Sequence, residues 1–401
     1  MFHLIVITSF ILIQTYLTVK VYRFISEFFK NLKIKRILSF TLLTIITYFN
    51  LSFIFIIFFY DSKPNQHSDF AFYTFFYPSG VWFGMSILLF LIFMIKDIIL
   101  LIYKSFYYIV KKLFIQKARK TETNFSESRR KFLKGLSAGL ALPPIFGSLY
   151  GVAMDSSEFE ITTNRIKFYN LPAKLKGLKI AQLSDIHAGI YLRKKKIVEA
   201  VKIVNKLNPD IIVLTGDYIL NSERYIYPCI EAFSKLKATI GIYSCIGNHD
   251  NMVNRELIVK ELKSANLNIL IEENQKLSYN GQEFYVAGTE DLWYPIKPNL
   301  KKALKDIPEE SFKILLSHQP DIFDEAVKRN VNLTLSGHTH GGQISIPFFG
   351  MPLNIVMFVT HYISGLFKKD KSYLYVNNGI GFVGPPFRLN VPPEISLITL
   401  I

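Results

Sequence analysis

Two hydrophobic patterns divide the chain near residue 154. Before that point apolar residues run without period over stretches long enough to cross a hydrocarbon core, which needs about 20 residues. Three such runs stand at Phe2 to Thr18, Ile37 to Tyr60 and Gly80 to about Ile99. Lys96 and Asp97 fall at the end of the third, where a helix would reach the interface, with the aromatic and basic run LIYKSFYYIVKK then lying along the membrane. A fourth run, Gly135 to Met154, carries no charge but contains Pro143 and Pro144, and reads as either a kinked span or an export signal.

From about Ile161 the pattern changes. Short apolar runs of strand length, such as LKIAQLSD and DIIVLTGD, alternate with helical periodicity. Between those two, Ile197, Ala200, Val201 and Val204 share one helical face, which Pro209 closes. The alternation continues through TIGIYSCIGNHD, a helix from about Arg255 to Ala265, NLNILIE, a hairpin around Asn280 and Gly281, FKILLSHQP, a helix near Asp321 to Lys328, and VNLTLSGHTH. Strands alternating with helices over about 240 residues predict a layered α/β domain with one large core.

Charge adds a topology. The net +16 is uneven: the first 154 residues hold 18 basic against 6 acidic residues, the remainder 29 against 25. Lys and Arg mark cytoplasmic loops. The loop after the first run is basic (Lys20, Arg23, Lys30, Lys33, Lys35, Arg36), the next, DSKPNQHSDF, is not, and Lys104 to Lys134 holds ten basic residues. This places everything after Met154 outside the cytoplasm if residues 135–154 cross, and it accounts for the basicity without nucleic acid. Ser128 to Gly135, SRRKFLKG, resembles a twin-arginine export motif through Arg129 and Arg130, implying the export machinery as a partner. The expected organisation is three transmembrane helices in 1–103, a basic linker in 104–134, a fourth helix or signal in 135–154 and a catalytic domain in 155–401. Cys229 and Cys245 are too few for a disulfide framework; one disulfide between them is permitted outside the cytoplasm, and buried free thiols are the favoured alternative.

The polar residues of the later part fall where strands end. In order they are Asp185 and His187 in SDIH, Asp217 in TGD, Asn248, His249 and Asp250 in GNHD, His318 in SHQP, and His338 and His340 in GHTH. Ligands in α/β sheets collect outside the carboxyl ends of strands, so these positions can converge. Imidazoles and carboxylates suit Mn, Fe or Zn, and seven ligands exceed one tetrahedral ion but fit two that share a carboxylate. Such a pair holds a hydroxide in line with phosphorus.

The ordered motifs D-x-H, G-D, G-N-H-D, H and G-H-x-H resemble the calcineurin-like metallophosphoesterase superfamily, a layered β-sandwich flanked by helices. The tail, GHTHGGQ followed by NGIGFVGPPFRL and PPEI, is similar to its bacterial membrane-associated branch. The resemblance implies that Asp185, His187 and His340 bind one ion, that Asn248, His318 and His338 bind the other, that Asp217 bridges, and that His249 is the catalytic histidine, held by Asp250. Arg388 is a candidate for gripping a substrate phosphate. The apolar stretch Ile344 to Phe367 is either an exposed patch suited to a lipid phosphoester or a core segment. The expectation is a multi-pass membrane protein with an extracytoplasmic dimetal phosphodiesterase or pyrophosphatase. The alternatives are a hydrolase of a nucleotide diphospho-lipid precursor, which the topology disfavours, and a metal-binding sensor without turnover, which the complete ligand set disfavours.

Overall fold

The computed structural model describes residues 2–59, 69–114, 158–292, 297–348 and 351–401, with isolated positions between 139 and 148. Arg129, Arg130 and most of the fourth apolar run lie outside the described residues. The chain divides into two compact units, Met1–Tyr150 and Gly151–Ile401.

The first unit is helical: α1 (Phe2–Phe28), α2 (Leu32–Phe59) and α3 (Tyr77–Phe114). Two stretches, Leu32–Ile54 and Phe72–Lys111, are long and apolar enough to cross a membrane, and α1 covers the first apolar run. Phe10 packs between Phe53 and Phe83, and Gln14 donates to Ser86 Oγ at 2.8 Å, joining α1 to α3. The run after Asp97 continues α3 as the same helix. Asp97 does not interrupt it, because Lys20 of α1 pairs with it at 2.5 Å and the Tyr16 hydroxyl donates to it at 2.8 Å. At about 1.5 Å per residue α3 is about 57 Å long, well beyond a hydrocarbon core about 30 Å thick.

The second unit is built on two six-stranded sheets. One has the order β1 (Glu160–Ile166), β14 (Glu394–Leu400), β2 (Lys179–Leu183), β3 (Ile211–Thr215), β4 (Gly241–Cys245), β5 (Asn268–Ile269). The other runs β12 (Gly365–Lys369), β13 (Ser372–Val376), β9 (Leu333–Ser336), β8 (Lys313–Leu316), β7 (Gln282–Gly288), β6 (Glu273–Tyr279). In β3 every residue is buried: Ile211 and Val213 enter the core between the sheets, and Ile212 and Leu214 face the other way, as the two-residue period requires. From the second sheet Phe284, Val286, Ile314, Leu316, Leu333 and Leu335 meet them, so the sheets pack face to face. Pairing is parallel from β2 through β4, and among β7, β8, β9 and β13, which puts their carboxyl ends at a common edge of each sheet.

Helix α4 (Lys194–Lys206) buries Ile197, Ala200, Val201 and Val204, as its periodicity predicts. Asn280 and Gly281, both with positive φ (50° and 74°), form the two-residue turn between β6 and β7. The helix expected near Arg255 starts earlier. α6 (Asn248–Ser264; α5 is Ile226–Phe233) opens inside GNHD and changes direction at Asn254, whose φ of −164° is not helical. Cys229 and Cys245 are both buried and free.

Candidate metal centre

Each candidate ligand follows a buried strand. Asp185 and His187 follow β2, Asp217 follows β3, Asn248 opens α6 after β4, His318 follows β8, and His338 and His340 follow β9. Both sheets therefore contribute. The turns are tight: Asp185, His187, Asp217, His338 and His340 all have positive φ, between 43° and 70°, a region costly for residues with a side chain. Glycines give the room these turns need. A Cβ on Gly337 would collide with Ser184 and the Asp185 carboxylate, and one on Gly247 would collide with Asp217.

The side chains converge in two groups joined by one carboxylate. In the first, His340 Nε2 is 3.3 Å from Asp185 Oδ1 and 3.1 Å from His187 Nε2. In the second, His318 Nε2 is 3.1 Å from Asp217 Oδ2 and 3.2 Å from His338 Nδ1. Asp217 Oδ2 is also 3.4 Å from His187 Nε2, so it lies between the groups. The His249 ring lies edge-on to His187, centroids 4.7 Å apart, on the more open side of the cluster. These separations fit ligand edges, since donors about 2.1 Å from a tetrahedral ion are about 3.4 Å from each other. Asn248 Oδ1 is buried without a hydrogen-bond partner, a costly arrangement that a cation would relieve.

Supporting contacts fix the ligands. Ser184 Oγ donates to Asp185 Oδ2 at 2.5 Å, and the His338 backbone N–H donates to both Asp185 oxygens. His318 Nδ1 contacts the Thr215 carbonyl at 2.8 Å, leaving Nε2 facing the cluster. Ser184 and Thr215 stand inside the quoted motifs SDIH and TGD, but no sequence signal assigned them a supporting role.

Two sequence expectations are corrected. His249 is not held by Asp250: its Nδ1 lies 2.7 Å from the Leu220 carbonyl oxygen. Asp250 instead accepts backbone N–H bonds from Gly247, Asp217 and Tyr218. Successive residues of a helix face different ways, so a carboxylate turned back to the start of α6 cannot reach its neighbour's ring. Arg388 is not a phosphate grip. It is 3% exposed, donates to the carbonyls of Asn378, Gly379 and Gly381, and sits 3.2 Å from His340 Nδ1. It braces the glycine-rich loop behind the cluster.

Electrostatics sort the histidines. Burial lowers His338, to about 4, and lowers His340 too, which keeps both neutral and able to ligate; it also lowers His249, against the opposing pull of the Asp217 carboxylate. Burial opposes charge on His318 as well, but the Asp217 carboxylate outweighs it and raises the ring to about 10. Asp185 and Asp217 are both lowered: burial disfavours their charge, and the surrounding imidazoles more than offset it.

Comparison with known proteins agrees with this geometry. The model of the calcineurin-like phosphoesterase family matches residues 178–342. The chain is 34% identical over 280 residues to the uncharacterized metallophosphoesterase YkuE of Bacillus subtilis, an alignment covering 68% of this chain and 97% of YkuE. It is 29% identical over 278 residues to the phosphodiesterase YaeI of Escherichia coli, covering 68% of this chain and 99% of that one. A transmembrane protein with a metallophosphoesterase domain from Bos taurus is 30% identical over 272 residues, 63% of this chain and 60% of the relative. Kinship along nearly the whole of YkuE, in the part of the chain that gathers the imidazoles and carboxylates, decides the matter: the chain belongs to the calcineurin-like metallophosphoesterases, metal-dependent hydrolases of phosphoesters.

Proposed function

We propose that the second unit is a dimetal phosphodiesterase or pyrophosphatase acting on a lipid or envelope phosphoester outside the cytoplasm. The observation that carries the two-ion reading is Asp217 Oδ2, placed 3.4 Å from His187 Nε2 and 3.1 Å from His318 Nε2. One carboxylate serves both groups: Asp185, His187 and His340 on one side, Asn248, His318 and His338 on the other. When bound, two divalent ions would offset the charge of the phosphoryl oxygens and make water nucleophilic near neutral pH. Mn, Fe and Zn all suit this donor set.

The protein's own residues supply position and a proton. Ser184 and the His338 backbone hold Asp185, the Thr215 carbonyl orients His318, and Asp250 ties the Asp217 turn to the start of α6. The Leu220 carbonyl accepts from Nδ1–H of His249, so Nε2 gives the leaving oxygen a proton from the protonated ring, which is left neutral. The diester preference draws support from the likeness to a protein named a phosphodiesterase. The extracytoplasmic placement draws support from the Lys and Arg distribution, and the twin arginines suggest a folded domain carried across.

The test is hydrolysis of bis(p-nitrophenyl) phosphate against p-nitrophenyl phosphate by the full chain, stripped of metal and refilled. Metal-dependent turnover of the diester is expected. Turnover of the monoester alone would make the enzyme a phosphomonoesterase, and two bound ions with no turnover of either would favour a binding role.

A further inference from the structure

The stretch after the last metal motif resolves one open question of the sequence. Within 344–367, Tyr362 and Phe367 pack against the core residues Phe323, Leu374 and Val376, but the segment between the metal turn and them is open: Ile346, Met357 and Leu366 are exposed, and Ile355, Phe358 and Val359 are 74%, 85% and 71% exposed. Among the described residues of the second unit, eleven large hydrophobic side chains are exposed, and these six are the majority. Two more, Met252 and Val383, come from α6 beyond His249 and from the loop that bonds to Gln343. Exposed apolar side chains are normally scattered; gathered ones mark a surface that meets an apolar partner.

The patch is anchored to the metal turn. The β10–β11 ribbon (Ile346–Phe348 and Met351–Leu353) leads into the 3₁₀ turn Ile355–Phe358, capped by Asn354 Oδ1 on the Met357 N–H. Asn354 packs so closely on Gly342 that a Cβ there would collide with it, and Thr339 Oγ1 donates to the Ile363 carbonyl at 2.5 Å. Thr360 and Tyr362 bond to Asp321 and Asp324.

We propose that Ile346, Ile355, Met357, Phe358, Val359 and Leu366 form a rim that docks on a lipid surface beside the metal centre. A bilayer is the occupant argued for because the same chain carries stretches long and apolar enough to enter one. Those stretches and the rim belong to one chain, so docking is an intramolecular step and needs fewer anchoring side chains than capture from solution. The rim's composition, aromatic and aliphatic tips on a protruding turn, is that of an interfacial anchor. The docking stands apart from the phosphodiesterase reading, on which only the kinetic part of its test rests.

The experiment uses the full chain in nanodiscs of phosphatidylcholine and phosphatidylglycerol containing a spin-labelled lipid. Phe358→Cys carries an environment-sensitive fluorophore, and Tyr169→Cys, 90% exposed, is the comparison site; the native cysteines are buried. Strong quenching with a blue shift at 358 and little at 169 is expected. Equal quenching at both positions, or none at 358, overturns the proposal. In a second arm Ile355→Ser, Phe358→Ser and Val359→Ser are combined. A loss of about tenfold in turnover of a membrane-embedded diester, with the soluble nitrophenyl diester unchanged, is expected. Equal loss on both substrates, or on neither, overturns it. Should the parent chain hydrolyse neither ester while quenching at 358 persists, the phosphodiesterase reading fails and the docking stands.

Discussion

His249 is the residue whose role the surroundings define most sharply, because its ring is fixed by a carbonyl and stands beside the cluster. If it protonates the departing oxygen, its loss should matter most when the leaving group is poor. His249→Ala is expected to slow an alkyl diester by about 10²–10⁴-fold and the nitrophenyl diester far less, read as the slope of rate against leaving-group pKa. A uniform loss would make it a binding residue. Asp217→Asn should lower metal content from two ions per chain to one or none and abolish turnover, as elemental analysis of the purified variant would show. His318 carries a pH signature. Its raised pKa, about 10, means that in metal-free protein its charge stabilises the fold fully below about 6.5 and is lost as pH climbs toward 10. Ligation needs the neutral ring, so metal binding should release a proton and weaken as pH falls. Calorimetric titrations in buffers of different ionisation enthalpy would expose that proton.

At the scale of strands and loops, Arg388 makes the clearest prediction. Arg388→Ala strips a buried donor from three carbonyls and should cost about 2–4 kcal/mol, seen as a lowered unfolding midpoint of the metal-loaded protein. Arg388→Lys should recover part of that without restoring the contact to His340. The sequence told where strands end because a strand running into SD, TGD or GHTH changes from apolar to polar within two residues. It told which side chains converge because parallel strands share one end. It did not tell that Asp185, His187 and His338 take left-handed backbone, since Asp and His enter that region more readily than most residues but still only in a small fraction of their occurrences. Nor did it separate Asp250 from His249: adjacency in sequence suggested a pair, and the start of α6 turns them apart. For Arg388 the sequence left a phosphate grip and a structural role both open, because the carbonyls it binds come from residues 378–381, whose fold no local pattern dictates.

For the molecule as a whole, the proposed topology places the second unit outside the cytoplasm. Tyr169→Cys should then react with a membrane-impermeant maleimide in intact cells, with little background from the buried Cys229 and Cys245. Labelling only after lysis would put the unit inside. A last consequence comes from the division of the ligands between the sheets. Each of the two groups takes residues from both: Asp185 and His187 with His340, and Asp217 with His318 and His338. Whatever ions the cluster takes, neither sheet can peel away without surrendering them, so the sandwich is sealed by its own cofactor. At free metal a hundredfold above the dissociation constant, that seal is worth about 2.7 kcal/mol. The protein's lifetime against proteases would then rise and fall with the metal supply of its compartment, and scarcity would remove the enzyme as well as silence it.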